Sequence, residues 1–301
     1  MASELCHLDD PVPMDLAAPP EIRLERGEVV AFSTSPFELP AGDDAEFLLA
    51  QTLASRAHKN ISYDPTTGRS GGFARRSRAQ SQRLTRILAE FAHRATAWLA
   101  GYLPRYSVRW TLDRISYRPL EEATRRLRRK SRNDLLHVDA FPSRPSHGNR
   151  ILRLFANVNP TQPRVWATSY PFGELLRRYG AAAGLPDSRQ PLSTNIKNTM
   201  LRIFNPKRAE RSDYDSFMLR FHDYLKNNDQ FQEREPKCVW KFPPGSVWLA
   251  MTDTCSHAVL SGQYALEHSY FIAPESQVLP DESPSALLGK AAGRPVLRIA
   301  A

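Results

Sequence analysis

The chain has no run of about 18 consecutive apolar residues, so no membrane-spanning helix is expected. Its opening, MASELCHLDDPVPMDLAAPP, lacks the basic start and apolar stretch of a secretory signal, and a cytoplasmic location is expected. Cysteine is scarce. Cys6, Cys238 and Cys255 form no CxxC pair and have no zinc-site spacing, and the count is odd. A disulfide framework is therefore not expected, in keeping with a reducing compartment. Cys255 reads as a small buried filler, with a place in a pocket wall as the alternative. Acidic residues are outnumbered, 32 against 41 Lys and Arg, for a net charge of +9. The excess implies an anionic partner, whether nucleic acid, acidic lipid head groups or a phosphorylated glycan, and charge alone does not choose among them. No helix-turn-helix, zinc-finger or RNP-like pattern accompanies the basic residues, so nucleic acid is not the expected partner.

What is present suffices for one sizeable domain: 301 residues, 41% hydrophobic and 24% charged. Residues 1–25 are rich in proline and acids and are expected to be disordered. Residues 26–275 are expected to form the domain, with helical elements in 43–102 packed on a β core, and 276–301 to be a loose tail. Glu28 to Phe37 reads as a first strand and Asp43 to Ala57 as a helix. Pro65 to Arg78, rich in Gly, Ser and Arg, reads as a loop. From Ser81 to Tyr102, Leu84, Ile87, Leu88, Phe91, Ala95, Trp98 and Leu99 recur at helical spacing and mark one buried face, leaving His93 on the solvent side.

Ser107 to Tyr117 then alternates like a strand. Further strand signals follow at DLLHVDAF, ILRLFANVN, RVWATSY, CVWKF, SVWLAMTD, HAVLSGQ and ALEHSYFIA. Helices interrupt them near Phe172–Tyr179, Leu192–Phe204 and Tyr214–Asn228. Short strands separated by turns, with helices gathered to one side, predict an α+β fold: a jelly-roll core, the double-stranded β-helix or cupin-like arrangement, with flanking and inserted helices.

The chemistry is concentrated in Leu135-Leu136-His137-Val138-Asp139-Ala140-Phe141. On a strand, residues i and i+2 share a face, so His137 and Asp139 project together while Leu136, Val138 and Ala140 pack the other way. An imidazole nitrogen and a carboxylate oxygen then stand side by side as two ligands of one cation. His257, on a later strand, is the best third ligand. Two histidines and a carboxylate on one side of a metal leave open positions for a bidentate 2-oxo acid and dioxygen, the arrangement of non-haem Fe(II) oxygenases. The competing reading is a strand-end His and Asp bonded to each other.

A cosubstrate also needs a cation for its far carboxylate. In Ile151-Leu152-Arg153-Leu154-Phe155-Ala156-Asn157, the alternation sends Leu152, Leu154 and Ala156 to the core and Arg153 to the opposite face. A mid-strand arginine among large apolar residues is costly unless it meets an anion, and its planar guanidinium suits a carboxylate. An exposed arginine on an edge strand is the alternative. Arg164, Trp166, Arg118 and Asn157 are further candidates for the cosubstrate site.

The blocks HVDAFPSRPSHGNRILRLFANVNP and SHAVLSGQYALEHSYF resemble the Kdo hydroxylases of Gram-negative bacteria, with the likeness running through most of the chain. Those enzymes are Fe(II)/2-oxoglutarate/O2-dependent dioxygenases acting on the 3-deoxy-D-manno-oct-2-ulosonic acid (Kdo) of lipopolysaccharide. The resemblance implies that His137, Asp139 and His257 hold Fe(II), and that Arg153 binds 2-oxoglutarate with Arg118, Arg164 and Trp166 beside it. It implies O2 as the second cosubstrate, and hydroxylation at C3 of Kdo in a Kdo–lipid A precursor to give Ko. One departure stands out: many relatives in the wider superfamily place an arginine shortly after the distal histidine, whereas Tyr264-Ala265-Leu266-Glu267-His268 contains none. His268 reads as a structural histidine or as a group supporting the site.

Thr124 to Arg132 (TRRLRRKSR) carries six basic residues in nine, and Arg75, Arg76 and Arg78 form a second cluster. They read either as a solvated surface helix or as a dock for anionic lipid, giving peripheral association with the inner membrane. A 2-oxoglutarate dioxygenase with another substrate and a basic nucleic-acid-binding protein without catalysis are the rival functions. A homo-oligomer is compatible with the sequence, which does not fix the oligomeric state.

Overall fold

The computed structural model describes residues 17–55, 58–74, 77–185 and 211–297. In chain order the elements are α1 (Pro20–Glu25), β1 (Val30–Phe32), α2 (Gly42–Leu49), β2 (Ile61–Asp64), β3 (Arg69–Gly71), α3 (Arg78–Tyr102), α4 (Pro104–Ser107) and β4 (Trp110–Arg118). There follow β5 (Arg150–Asn157), β6 (Arg164–Pro171), α5 (Phe172–Tyr179), α6 (Asp213–Asn227), α7 (Asp229–Arg234), β7 (Cys238–Phe242), β8 (Val247–Met251), β9 (Cys255–Ser261), β10 (Ala265–Ile272) and α8 (Pro284–Ala292). The strands form a seven-stranded sheet in the order β1-β8-β5-β10-β4-β2-β3 and a three-stranded sheet in the order β7-β6-β9, with antiparallel pairing throughout.

Alternation along the strands builds four layers. In β5, Leu152, Leu154 and Ala156 join Leu249, Met251, Leu266 and Tyr270 in a core closed by the α3 stripe. Leu84, Ile87, Leu88, Phe91, Ala95 and Leu99 of that stripe are all buried, while Trp98 is partly so and His93 is exposed. Ser77 starts the helix by accepting a hydrogen bond from the Gln80 amide. The opposite face of the large sheet offers Phe155, Trp248 and Ala250, which meet Trp166, Trp240 and Val259 of the small sheet. On the outer side of the small sheet, Ala167 and Ala258 pack on Phe172, Leu175, Phe217, Phe221 and Leu288 of α5, α6 and α8. The result is a jelly roll with helices on both outer faces, and the interior between the sheets is left for polar chemistry at one end. Each fully buried large side chain contributes roughly 1.5–3 kcal/mol.

Several expectations change. The first strand keeps only Val30–Phe32, and the following helix ends at Leu49. The loop after Pro65 contains the short β3, paired with β2. DLLHVDAF makes a single bridge to β9, between His137 and His257, instead of a full strand. The basic segment is not a helix: it holds two short 3-10 turns, Glu122–Thr124 and Arg129–Ser131, joined by extended chain. Consecutive arginines leave that segment without an apolar stripe to pack as a helix, and its side chains find separate anchors. Arg129 donates to the Lys226 carbonyl at 2.7 Å and Arg132 pairs with Asp134. Cys238 is disulfide-bonded, against expectation. Cys255 is a buried free thiol in the layer between the sheets, and burial pushes its pKa up to about 12, as befits a filler. The expected helix at Leu192–Phe204, the first 16 residues, and Arg75 and Arg76 lie outside the described residues.

The two ends of the domain are also better ordered than their composition suggests. Residues 20–25 form α1, and the chain after Ile272 continues through two 3-10 turns into α8, capped by Ser283 and closed by Gly293 at φ 64°. Glu25, 1% exposed, joins the ends. Its carboxylate accepts from the Tyr106 hydroxyl at 2.7 Å and from the amides of Val278 and Leu279 at 2.8 and 2.6 Å. Glu25→Ala removes the shared acceptor of the buried Tyr106 hydroxyl and of two half-buried amides, each hydrogen bond to a charged group being worth about 1.5–3 kcal/mol. The variant is expected to lose about 3 kcal/mol or more in urea denaturation, whereas an unchanged midpoint would mean that the ends are not held by this residue.

Candidate metal centre

Residues 135–139 run beside β9 as a partial extra strand of the small sheet. The His137 amide donates to the His257 carbonyl at 3.1 Å, and the reciprocal bond is 2.9 Å. Gln232 of α7 holds Leu136 at both backbone groups, at 2.9 Å each. The Asp139 amide donates to the Thr252 carbonyl at 2.7 Å, and His222 of α6 donates through Nδ1 to the Val138 carbonyl at 2.9 Å. With the backbone so fixed, the period of two turns Leu136 and Val138 into the helical layer and His137 and Asp139 towards the large sheet.

His137, Asp139 and His257 each offer a ligand atom, and these atoms lie within 4.8 Å of one another. All three residues are buried. The Nδ1 atoms of both histidines sit against carbonyl oxygens two residues back, His137 on Leu135 at 2.7 Å and His257 on Cys255 at 2.9 Å. A carbonyl can only accept, so Nδ1 carries the proton and each Nε2 lone pair is free for a metal. Burial lowers the pKa of both imidazoles, well below the usual range for His137, where the charge of Lys226 adds to the effect. Both are thus neutral near pH 7. Trp166 lies flat against His257 with ring centroids 5.2 Å apart, and His222 stands edge-on to His137 at 4.9 Å.

His137 Nε2 is 3.6 Å from Asp139 Oδ1, too long for the two groups to satisfy each other. The donor set fits a divalent transition metal: two neutral imidazole nitrogens and one carboxylate oxygen, all buried, with their tautomers locked.

Arg153 does meet an anion. It bonds Asp139 Oδ2 at 2.8 Å, Glu267 Oε1 at 2.7 Å and the Ser269 hydroxyl at 3.2 Å. Arg118 grips Glu267 from the other side with bonds of 3.0 and 2.9 Å. Against the opposing effect of burial, Arg153 keeps Asp139 well below the usual carboxylate range, and Arg118 and Arg153 hold Glu267 at about 2. Arg164 is 2% exposed and bonds the Gly262 carbonyl at 3.0 Å, and burial pushes its pKa down to about 10.

Three buried donors in this region have no hydrogen-bond partner: Arg118 Nη1, Arg164 Nε and Trp166 Nε1. Asn157 does not share this availability. Its amide donates to the carbonyls of Gln162 and Phe242, both at 3.0 Å, and its oxygen accepts from the Asn159 amide, so its assignment to a cosubstrate is corrected to a turn-building role. Asp253 is paired with Arg150 at 2.8 Å, and Gln263 donates to the Pro119 carbonyl. His268 packs on the α3 side of β10 with the Tyr270 hydroxyl at 2.8 Å, on the face opposite Glu267 and Ser269.

Sequence reasoning missed Glu267, Ser269, Gln232 and His222. Glu267 had a usable signal: an acid between buried positions of a strand needs a cation, the converse of the argument made for Arg153. Gln232 and His222 act through backbone groups and have no comparable signature. Because Arg153 takes one oxygen of Asp139 and leaves the other to a metal, Arg153→Met is expected to weaken Co(II) binding about 10- to 100-fold in titrations followed by visible absorption. Asn157→Ala should leave that affinity unchanged, and equal affinity in Arg153→Met would remove the positioning role.

Residues 16–295 match the family described as 3-deoxy-D-manno-oct-2-ulosonic acid (Kdo) hydroxylase. Among solved structures, the Kdo hydroxylase KdoO in complex with cobalt(II) is similar at 32% identity and a TM-score of 0.83, with 92% of this chain and 90% of that chain covered. The same protein, a non-haem Fe(II) alpha-ketoglutarate dependent dioxygenase, in complex with alpha-ketoglutarate and Fe(III) is similar at 32% identity, TM-score 0.81, covering 91% and 88%. Its apo form matches at 33% identity, TM-score 0.81, covering 91% and 89%. No functionally curated protein matches the chain. A family match over nearly the whole length, on a jelly roll that brings two histidines and an aspartate together, places this chain in the Kdo hydroxylase family.

Proposed function

We propose that this chain uses Fe(II), 2-oxoglutarate and O2 to hydroxylate Kdo at C3 within a Kdo–lipid A precursor, giving Ko. The observation that carries the reading is a three-ligand face next to buried N–H donors that lack hydrogen-bond partners among the described residues, although Arg118 and Arg164 also lie 3.6 and 3.9 Å from the Glu122 carboxylate. A buried donor left unpaired costs about 1–3 kcal/mol, and an arriving carboxylate removes that cost. Arg164 Nε, Arg118 Nη1 and Trp166 Nε1 suit the far carboxylate of 2-oxoglutarate. Arg153 offers five N–H groups and makes three of the bonds described, which leaves donors for the same anion. The likeness to KdoO, which binds alpha-ketoglutarate, supports this assignment.

Bound iron supplies the redox centre for a reaction in which 2-oxoglutarate, O2 and a substrate C–H become succinate, CO2 and a C–OH. The protein's own part is preorganisation. The Nδ1–carbonyl bonds aim both imidazoles, Arg153 keeps one oxygen of Asp139 occupied, and Trp166 with Phe155 walls the site on the side of the sheet interior. The exposed Arg126, Arg128, Arg129 and Lys130 form a basic lip, for which we propose contact with acidic head groups at the cytoplasmic face of the inner membrane.

Succinate formation with Fe(II) should rise on addition of Kdo2-lipid A and vanish in His137→Ala. Arg164→Met should raise the KM for 2-oxoglutarate about tenfold or more, the loss of one charge-assisted hydrogen bond. Turnover that Kdo2-lipid A does not stimulate would move the acceptor elsewhere. Sedimentation with phosphatidylglycerol vesicles should be lost at high salt, and retention there would exclude electrostatic docking.

A further inference from the structure

Lys226 of α6 is 2% exposed, yet among the described residues its ammonium makes one hydrogen bond, at 3.4 Å to the Lys130 carbonyl. Among the described residues no carboxylate pairs with it, although almost every other buried cation near the site has one, as Arg118 and Arg153 have Glu267 and Arg150 has Asp253. Burying an ammonium for one long bond to a neutral oxygen is costly, and an alkyl side chain would keep the helix at no such cost. The position is specific as well. Lys226 falls one turn after His222 on the same face of α6, and His222 is the residue that braces Val138 and stands against His137. Its charge acts on His137, His257 and Asp139 alike. Burial pushes its own pKa down to about 8, so the ammonium still predominates at neutral pH and an anion at this place would strengthen it.

The substrate class completes the argument, which here rests on the Kdo reading above. In a 3-deoxy-2-ulosonic acid the carboxylate is C1 and the carbon to be hydroxylated is C3. Bringing C3 to the metal therefore carries the carboxylate into the same buried space. The arginine and indole donors lie on the β4–β5–β6 side, where the cosubstrate is assigned. On the α6 side, Lys226 is a buried cation without a carboxylate partner among the described residues. We infer that Lys226 receives the carboxylate of the acceptor sugar and so places its C3 towards the metal ligands.

Either of two carboxylates present in turnover, that of the sugar or that of 2-oxoglutarate, offers the chemistry Lys226 needs, and kinetics separates them. With Fe(II)-loaded full-length enzyme, Lys226→Met should raise the KM for Kdo2-lipid A at least tenfold and leave the KM for 2-oxoglutarate within twofold. Lys226→Arg should restore part of the loss. Wild type should also discriminate against the methyl ester of Kdo as an acceptor, and Lys226→Met should lose that discrimination. Unchanged Co(II) affinity and melting temperature would show that the fold and the ligands are intact; if Lys226→Met does not fold, Lys226→Gln, which keeps a donor for Lys130, carries the same comparison. A rise in the 2-oxoglutarate KM instead, or equal KM values for the acceptor, overturns the assignment. Wild type that leaves every Kdo acceptor unmodified overturns the Kdo reading itself, an outcome visible before any variant is compared.

Discussion

Asp139 is where the two sheets are tied together through charge. Its backbone belongs to the extra strand beside β9, whereas its carboxylate is held by Arg153 of β5, which in turn reaches Glu267 of β10 and through it Arg118 of β4. The chain of alternating charges crosses from the small sheet to the large one and is almost wholly buried. Breaking such a pair by removing one partner costs roughly 3–5 kcal/mol, because the remaining charge is stranded in a medium of low polarity. The same chain aims the anionic member of the His137–Asp139–His257 set, so stability and chemistry are not separable at this point. It also explains how two arginines and two acids coexist in a space where an isolated charge would be prohibitive.

Around that chain the fold divides its labour. The α3 core and the α5–α6–α8 core lie on the outer faces and do the packing, while the interior between the sheets is shared by an aromatic cluster at one end and ionisable groups at the other. Phe155 and Trp166 touch edge to face at 4.6 Å, where the aromatic part meets the site. Aromatic walls lower the local dielectric, which strengthens every charge–charge interaction beside them and keeps the histidines neutral. Neutral imidazoles and an ionised carboxylate are the protonation states a divalent cation needs, and both are set before any metal arrives.

The overall charge of +9 finds two separate outlets. Part of it is internal: Arg118 and Arg153 are paired with Glu267 and Asp139, and for Arg164 and Lys226 the proposed partners are the carboxylates of the cosubstrate and of the acceptor. Part is external, in the segment from Arg125 to Arg132, which lies over the site's flank through anchors on Lys226, Asp229 and Asp134. A single composition figure merges a binding pocket with a surface, and only the fold distinguishes them.

Local order was legible in the sequence wherever a single periodicity decided it. The stripe of α3, the alternation of β5 that buries Leu152 and Leu154 and turns Arg153 away, and the shared face of His137 and Asp139 follow from backbone geometry over a few residues. Composition misled at residues 20–25 and in the chain after Ile272, which are ordered around one distant carboxylate, Glu25. It misled again at Thr124–Arg132, where a run of basic residues has no preferred local structure of its own. The partner of Arg153, the bridge that sets His257 against His137, and the burial of Lys226 against the Lys130 carbonyl all involve residues far apart along the chain. Alternation tells which way a side chain points, but what it meets there depends on how the sheets close, and that is a property of the tertiary structure alone.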